Sequence, residues 1–213
     1  MERHHRSPTA GAPRDEDVIF TGAASGLGCV VSGVVLPSLG RLPPVGQLGL
    51  VVTDMETAMV SYGAALGVER WYRSKMASWE VHYRGRPTTV DWDIVVGYSG
   101  GLQVELVEVR NAGPNLYREL LGSDGDGFHH VGVVVKGFER RLELARGAGL
   151  EIAQHGAIRF SGGGACRFAY LDTREELGFI LELIEVRTYG LNLGMPEWLL
   201  RLGTLTGDVE RVG

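Results

Sequence analysis

Apolar and polar positions along this chain fall into two stretches with the same order of elements. The first opens on GQLGLVV, Gly46 to Val52, and closes on LQVELVE, Leu102 to Glu108. The second opens on HHVGVVV, His129 to Val135, and closes on FILELIE, Phe179 to Glu185. Short runs rich in Val, Ile and Leu, bounded by turn residues, read as strands. After the first opening strand, Asp54 is suited to cap a helix and Glu56 sits in its first turn. Met55, Met59, Tyr62 and Leu66 then recur at helical spacing, and Gly67 supplies the stop. Strand-like runs follow at Val68 to Arg73, Trp79 to Arg84 and Val90 to Tyr98, with a turn at Gly85 to Pro87 and a break at Gly100 and Gly101. The second stretch repeats the order. It has a strand at His130 to Lys136, a helix from Phe138 to Ala148 ended by Gly149, then strands near Leu150 to Gln154, Cys166 to Leu171 and Phe179 to Val186, with Gly162, Gly163 and Gly164 in a loop.

Each stretch is therefore a βαβββ module, and the expected class is α+β, with two tandem modules forming a curved sheet around a shared cavity. The expected organisation is an N-terminal tail and apolar arm at 1–44, the paired modules at 45–186 (45–110 and 128–186) and a C-terminal extension at 187–213. The connector between modules, Asn111 to Phe128, contains Pro114, Gly122 and a short helical stretch around Tyr117 to Leu121. In the extension, Pro196 to Leu205 reads as a helix with Trp198, Leu199, Leu202 and Leu205 on an apolar face, a docking element rather than a catalytic one.

Before the modules, Met1 to Asp17 is polar and reads as a disordered tail, with His4 and His5 solvated. Val18 to Gly40 carries no charge, but its many Gly and Ser residues and the preceding Asp15, Glu16 and Asp17 do not fit a bilayer span or a signal peptide. Within it, VIFTGAASGLG resembles the glycine-rich turn of short-chain dehydrogenases, yet the chain enters the first module too soon for a dinucleotide domain. The segment reads instead as an arm packed on the body or on a neighbouring subunit.

Laying one module on the other pairs Gln47 with His130 and Glu105 with Glu182, each at the same phase of its strand. Strand side chains alternate faces, so each pair is directed to one face of the sheet. Two carboxylates, one imidazole and one amide oxygen neutralise a divalent ion and leave positions for water or substrate. Such an oxygen-rich set suits six-coordinate Zn, Co, Ni or Mn better than a closed structural zinc site. Gln103 and Glu108 are assigned to the outer face, out of phase with Glu105, and Glu185 likewise out of phase with Glu182.

Composition limits the partners. Of 213 residues, 44% are hydrophobic and 22% charged, and a net charge of -5 supplies no basic field for nucleic acid. The expected partner is a small molecule, with no membrane contact and a cytoplasmic location. Cys29 and Cys166 lack CxxC spacing and read as inert thiols.

GQLGLVVTDME, HHVGVVV, CRFAYLDT and FILELIE together resemble the vicinal oxygen chelate superfamily, which includes glyoxalases, methylmalonyl-CoA epimerases, extradiol dioxygenases and bleomycin-resistance proteins. The resemblance spans about Val45 to Val186, and the order Gln, Glu, His, Glu is similar to that of zinc glyoxalase I enzymes. It implies that Gln47, Glu105, His130 and Glu182 bind a divalent ion, zinc first, and that members pair as homodimers. Glyoxalases that hold glutathione carry an arginine four positions after the first ligand; here that position is Val51, which weighs against glutathione as a cofactor.

The implied chemistry is proton transfer next to a carbonyl through a metal-stabilised enediolate, as in an isomerase, epimerase or glyoxalase-type lyase, with Glu182 as base and Glu105 as its counterpart. The aromatics Trp71, Tyr72, Trp79, Tyr83 and Trp92 are candidates to wall the cavity for a bulky apolar or ring-bearing substrate; of these, Trp79, Tyr83 and Trp92 are taken as substrate contacts. Two alternatives remain open: a metal-free binding or resistance protein on the same scaffold, and an iron-dependent dioxygenase, against which Gln47 in place of a histidine speaks.

Overall fold

The computed structural model describes residues 39–111, 113–121 and 125–213. The tail, the arm with its glycine motif, Cys29 and Gly122 lie outside the described residues.

The first module runs β1 (Gln47–Val52), α1 (Met55–Leu66), β2 (Trp71–Ser74), β3 (Met76–Tyr83), β4 (Arg86–Thr88), β5 (Trp92–Ser99) and β6 (Leu102–Val109). After α2 (Leu116–Leu121), the second runs β7 (Gly127–Val134), α3 (Phe138–Gly147), β8 (Ile152–Phe160), β9 (Gly164–Leu171), α4 (Arg174–Leu177) and β10 (Ile180–Thr188). The extension adds α5 (Glu197–Thr206) and β11 (Val209–Val212).

All the strands join one curled, open sheet in the order β11-β2-β5-β6-β1-β7-β10-β9-β8-β3-β4. The expected duplication is visible in that order. β1 lies parallel to β6 as β7 lies parallel to β10, and β1 meets β7 antiparallel at the seam.

Local chemistry fixes the helices. Asp54 accepts a hydrogen bond from the Thr57 backbone N–H at 3.1 Å, and Gly67 closes α1 at a left-handed φ of 69°. On the outer face, Leu50, Val52, Val95, Val104 and Leu106 bury against Met55, Ala58 and Met59 of α1. In the same way Val133, Val135, Leu181 and Leu183 bury against Phe138, Leu142 and Ala145 of α3. Fully burying each such side chain contributes roughly 1.5–3 kcal/mol. With helices covering only one face, the other face curls into a trough whose floor is Val51, Val107, Trp92, Phe168, Tyr170 and Ile180, and α2 inserts Leu116 and Tyr117 into the same cluster.

Two elements depart from the simple βαβββ expectation. The β3–β4 hairpin leaves its own module and pairs with β8 of the other, so that Val81 is buried in the trough cluster. At the other end of the sheet β11 of the extension pairs antiparallel with β2. The modules' own outer strands, β2 and β8, are thus each paired by an added strand, and β11 and β4 end the sheet.

Candidate metal centre

The four residues singled out by the repeat lie together at the β1–β7 seam and its two parallel neighbours. His130 Nε2 stands 3.1 Å from Glu182 Oε2, 3.4 Å from Glu105 Oε2 and 3.3 Å from Gln47 Oε1. Ligand atoms of Glu105, His130 and Glu182 all fall within 4.8 Å of one another. Register explains the convergence: Gln47 sits opposite Gly132 and His130 opposite Gly49, a reciprocal arrangement across the seam. Each glycine makes room for the side chain facing it. A Cβ on Gly49 would fall inside the His130 ring, and one on Gly132 would come within 2.7 Å of Gln47 Oε1.

A bulge adds a second imidazole. His130 pairs with Gly49 and Phe128 with Leu50, leaving His129 as the extra residue, so adjacent residues are both buried. Their Nδ1 atoms are 3.0 Å apart. Burial, and then the neighbouring His130, hold His129 well below the ordinary imidazole range, so it stays neutral. For His130, burial disfavours charge, but the adjacent Glu182 and Glu105 win and push it up to about 9. Burial raises the Glu182 carboxyl.

Gln47 is oriented by a chain of donors. Tyr98 O–H donates to Met195 O at 2.7 Å, Gln103 Nε2 donates to the Tyr98 hydroxyl at 2.7 Å, and Gln47 Nε2 donates to Gln103 Oε1 at 2.9 Å. With its nitrogen so engaged, the Gln47 amide presents oxygen to the cluster. Gln103 therefore belongs to the inner face, contrary to the sequence expectation. It is two residues from Glu105, and a strand returns to the same face every second residue. Glu185 does lie on the outer face, where it pairs with Arg167 and Arg187.

The donor set fits a divalent cation. Glu182 Oε2 is buried and stands 3.1 Å from His130 Nε2, an ion-pair distance, without completing a hydrogen bond. With Glu105 as a second carboxylate in the cluster, the set calls for more positive charge than one imidazole carries, and a cation would supply it. Hard oxygen donors with one imidazole suit a six-coordinate ion with open positions.

Gln47, Glu105 and Glu182 face a cavity of about 270 Å³. Of the aromatics proposed as substrate contacts, Trp92 lines it. Trp79 and Tyr83 lie outside the wall. Trp79 is largely exposed and donates to Val90 O, while the Tyr83 hydroxyl is drawn to Glu119 on the surface. Both are on β3, whose other end brings Met76 to the cavity wall. Tyr72 lines the wall and Trp71 packs under α1. Sequence reasoning also missed the contribution of the extension, since Leu199, Leu200 and Leu202 of α5 and Val209 line the cavity, while Trp198 and Leu205 point outward. Cys166 lines it too, its thiol pushed well up by burial and so unreactive.

The sequence profile of the Glyoxalase/Bleomycin resistance protein/Dioxygenase superfamily matches residues 46–170. The chain belongs to this superfamily. Among solved structures it is similar to a hypothetical protein, BH1468, from Bacillus halodurans C-125 (20% identity, TM-score 0.46, covering 66% of this chain and 91% of that one). It is also similar to methylmalonyl-CoA epimerase from Mycobacterium tuberculosis (13% identity, TM-score 0.45, 76% and 98% covered). The Streptomyces coelicolor epimerase in complex with 2-nitronate-propionyl-CoA follows at 18% identity and TM-score 0.41, with 68% and 97% covered. No curated protein sequence matches the chain at a significant level. Among the described residues, no helix is long and apolar enough to cross a membrane.

Proposed function

We propose that this superfamily member is a divalent-metal-dependent enzyme, an isomerase, epimerase or glyoxalase-type lyase, that moves a proton on the carbon next to a carbonyl of a small organic substrate. The observation that carries the reading is the convergence of two carboxylates, Glu182 and Glu105, on the buried His130 imidazole beside an apolar cavity. Gln47, Glu105, His130 and Glu182 would hold the ion, with zinc the first choice. When bound, a divalent ion there supplies a Lewis acid for the substrate's carbonyl oxygen.

The side chains supply the rest. Glu182 takes the proton, its basicity raised by burial. Glu105, contributed by the other module and less enclosed, returns a proton from its own side. Gln47 stays neutral, so the set carries two negative charges rather than three. The apolar wall excludes bulk water from the reacting carbon.

The test measures solvent deuterium uptake next to the carbonyl across a panel of α-hydroxyketones, hemithioacetals and acyl-CoA thioesters, with zinc-loaded protein. Glu182→Gln should slow uptake by about 10²–10⁴-fold with an unchanged circular dichroism spectrum. Uptake at the wild-type rate in that variant removes Glu182 from the chemistry. A purified protein that takes up no stoichiometric zinc would turn the reading toward sequestration.

A further inference from the structure

The cavity wall specifies a substrate class, and the argument rests on the enzymatic reading above. Trp92, Ile94, Phe160, Phe168, Leu199 and Leu202 surround the space above the acidic floor. Every charged side chain among the described lining residues is an acid: Glu105, Glu182 and Asp208. Val51 is buried on the trough side with Val107 and Trp92. A carboxylate or phosphate lying against this wall would leave water and find no cationic side chain among the described lining residues, an uncompensated cost. A cavity of about 270 Å³ is also small. Ligand pockets run to roughly 300–1,000 Å³, and a whole coenzyme A or glutathione conjugate would not be enclosed.

We propose that the substrate is a compact, uncharged, ring-bearing carbonyl compound, such as an aromatic α-hydroxyketone, with its apolar body against Trp92, Phe160 and Phe168 and its oxygens toward Glu105 and Glu182. The C-terminal helix belongs to this specificity surface, since Leu199 and Leu202 of α5 form part of the wall.

Binding of four probes to the full-length, zinc-loaded protein tests the class by calorimetry: benzoin, the benzoylformate anion, S-lactoylglutathione and methylmalonyl-CoA. Benzoin should bind about tenfold or more tightly than any anionic probe, whose charge finds no cationic side chain among the described lining residues. A second variant reverses the sign. Leu199→Arg brings a cation to the wall from a helix with no buried residue, so the core stays intact; it should weaken benzoin and strengthen benzoylformate. Wild-type protein that prefers either thioester or the anion, or that fails to bind benzoin, overturns the proposal. Benzoin that binds tightly but gains no deuterium upholds the substrate class and sinks the proton-transfer reading, which keeps the two failures distinct.

Discussion

The two modules share a fold but furnish the site unequally. The second contributes His130 and Glu182, whose side chains are 0% and 5% exposed, and it backs them with His129 and Tyr170. The first contributes Gln47 and Glu105, and Glu105 is 14% exposed. The titratable, rigidly packed pair thus comes from one copy, and a neutral amide with a more accessible acid comes from the other. Duplication supplies the position of each side chain; divergence supplies its protonation behaviour.

The glycines at the seam offer the sharpest way to break that comparison. Gly49→Ala drives a methyl into the His130 ring, which cannot yield without moving a buried strand. We expect a loss of about 1–3 kcal/mol in folding stability, as for other overpacked sites, and loss of stoichiometric zinc. Gly132→Ala meets Gln47 Oε1 at 2.7 Å, Ile184 Cδ1 at 2.8 Å and Gln47 Cβ at 2.9 Å, a milder overlap than the 1.8 Å approach of the Gly49→Ala methyl to the His130 ring. Its zinc affinity should fall less than that of Gly49→Ala, by urea unfolding and zinc titration on both variants. Equal effects would mean that the two halves hold the ion with equal rigidity.

These glycines also show what the sequence discloses. QLG and HVG are the same three-residue phrase, so the inward polar side chain and a glycine two residues on recur together, and counting by two along each strand brings the four side chains to one face. Gln103 was open to the same count. His129 was not, because a bulge adds one residue to β7 and no periodicity announces it. The exchange of the β3–β4 hairpin was hidden for a related reason. Val81 looks alike whether its strand pairs within its own module or with β8, and Gly156 and Ala157 dilute the pattern of the partner strand. β11 is too short to stand out, and α5 carries leucines on more than one side, so its cavity-lining role depended on where β11 anchored it.

His129 sharpens the asymmetry from the other direction, as a positioning residue with no counterpart in the first module, where Gly46 and Leu48 flank Gln47. If His130 offers Nε2 to a cation, its proton must reside on Nδ1, and His129 Nδ1 at 3.0 Å is the acceptor for it. His129→Phe keeps the ring volume and removes the acceptor. Zinc affinity, measured by chelator competition, should fall by about 10–100-fold, whereas His129→Asn, which retains an acceptor, should recover part of it. Nitrogen chemical shifts of the His130 ring separate this role from simple packing. A His130 tautomer ratio unchanged in the Phe variant would dismiss the relay.

The smallest expected effect lies where the modules exchange strands. His82 of β3 and His155 of β8 are direct cross-strand partners, with rings stacked at 5.0 Å and 5° from parallel. Burial, then His82 and Arg146, hold His155 below its ordinary value, with Glu139 and Glu80 opposing. In the unfolded chain His155 takes up a proton near pH 6.5, so as the pH falls through that value the unfolded state binds more protons than the folded one. The stability owed to a neutral His155 is therefore present above that pH and lost below it. Hydrogen exchange should show β3 and β8 amides losing protection between about pH 7.5 and pH 5.5 while the seam strands β1 and β7 hold theirs. His155→Gln should flatten the pH response of β3 and β8. Parallel loss in seam and edge would mean that the borrowed hairpin is no weaker a join than the duplicated core.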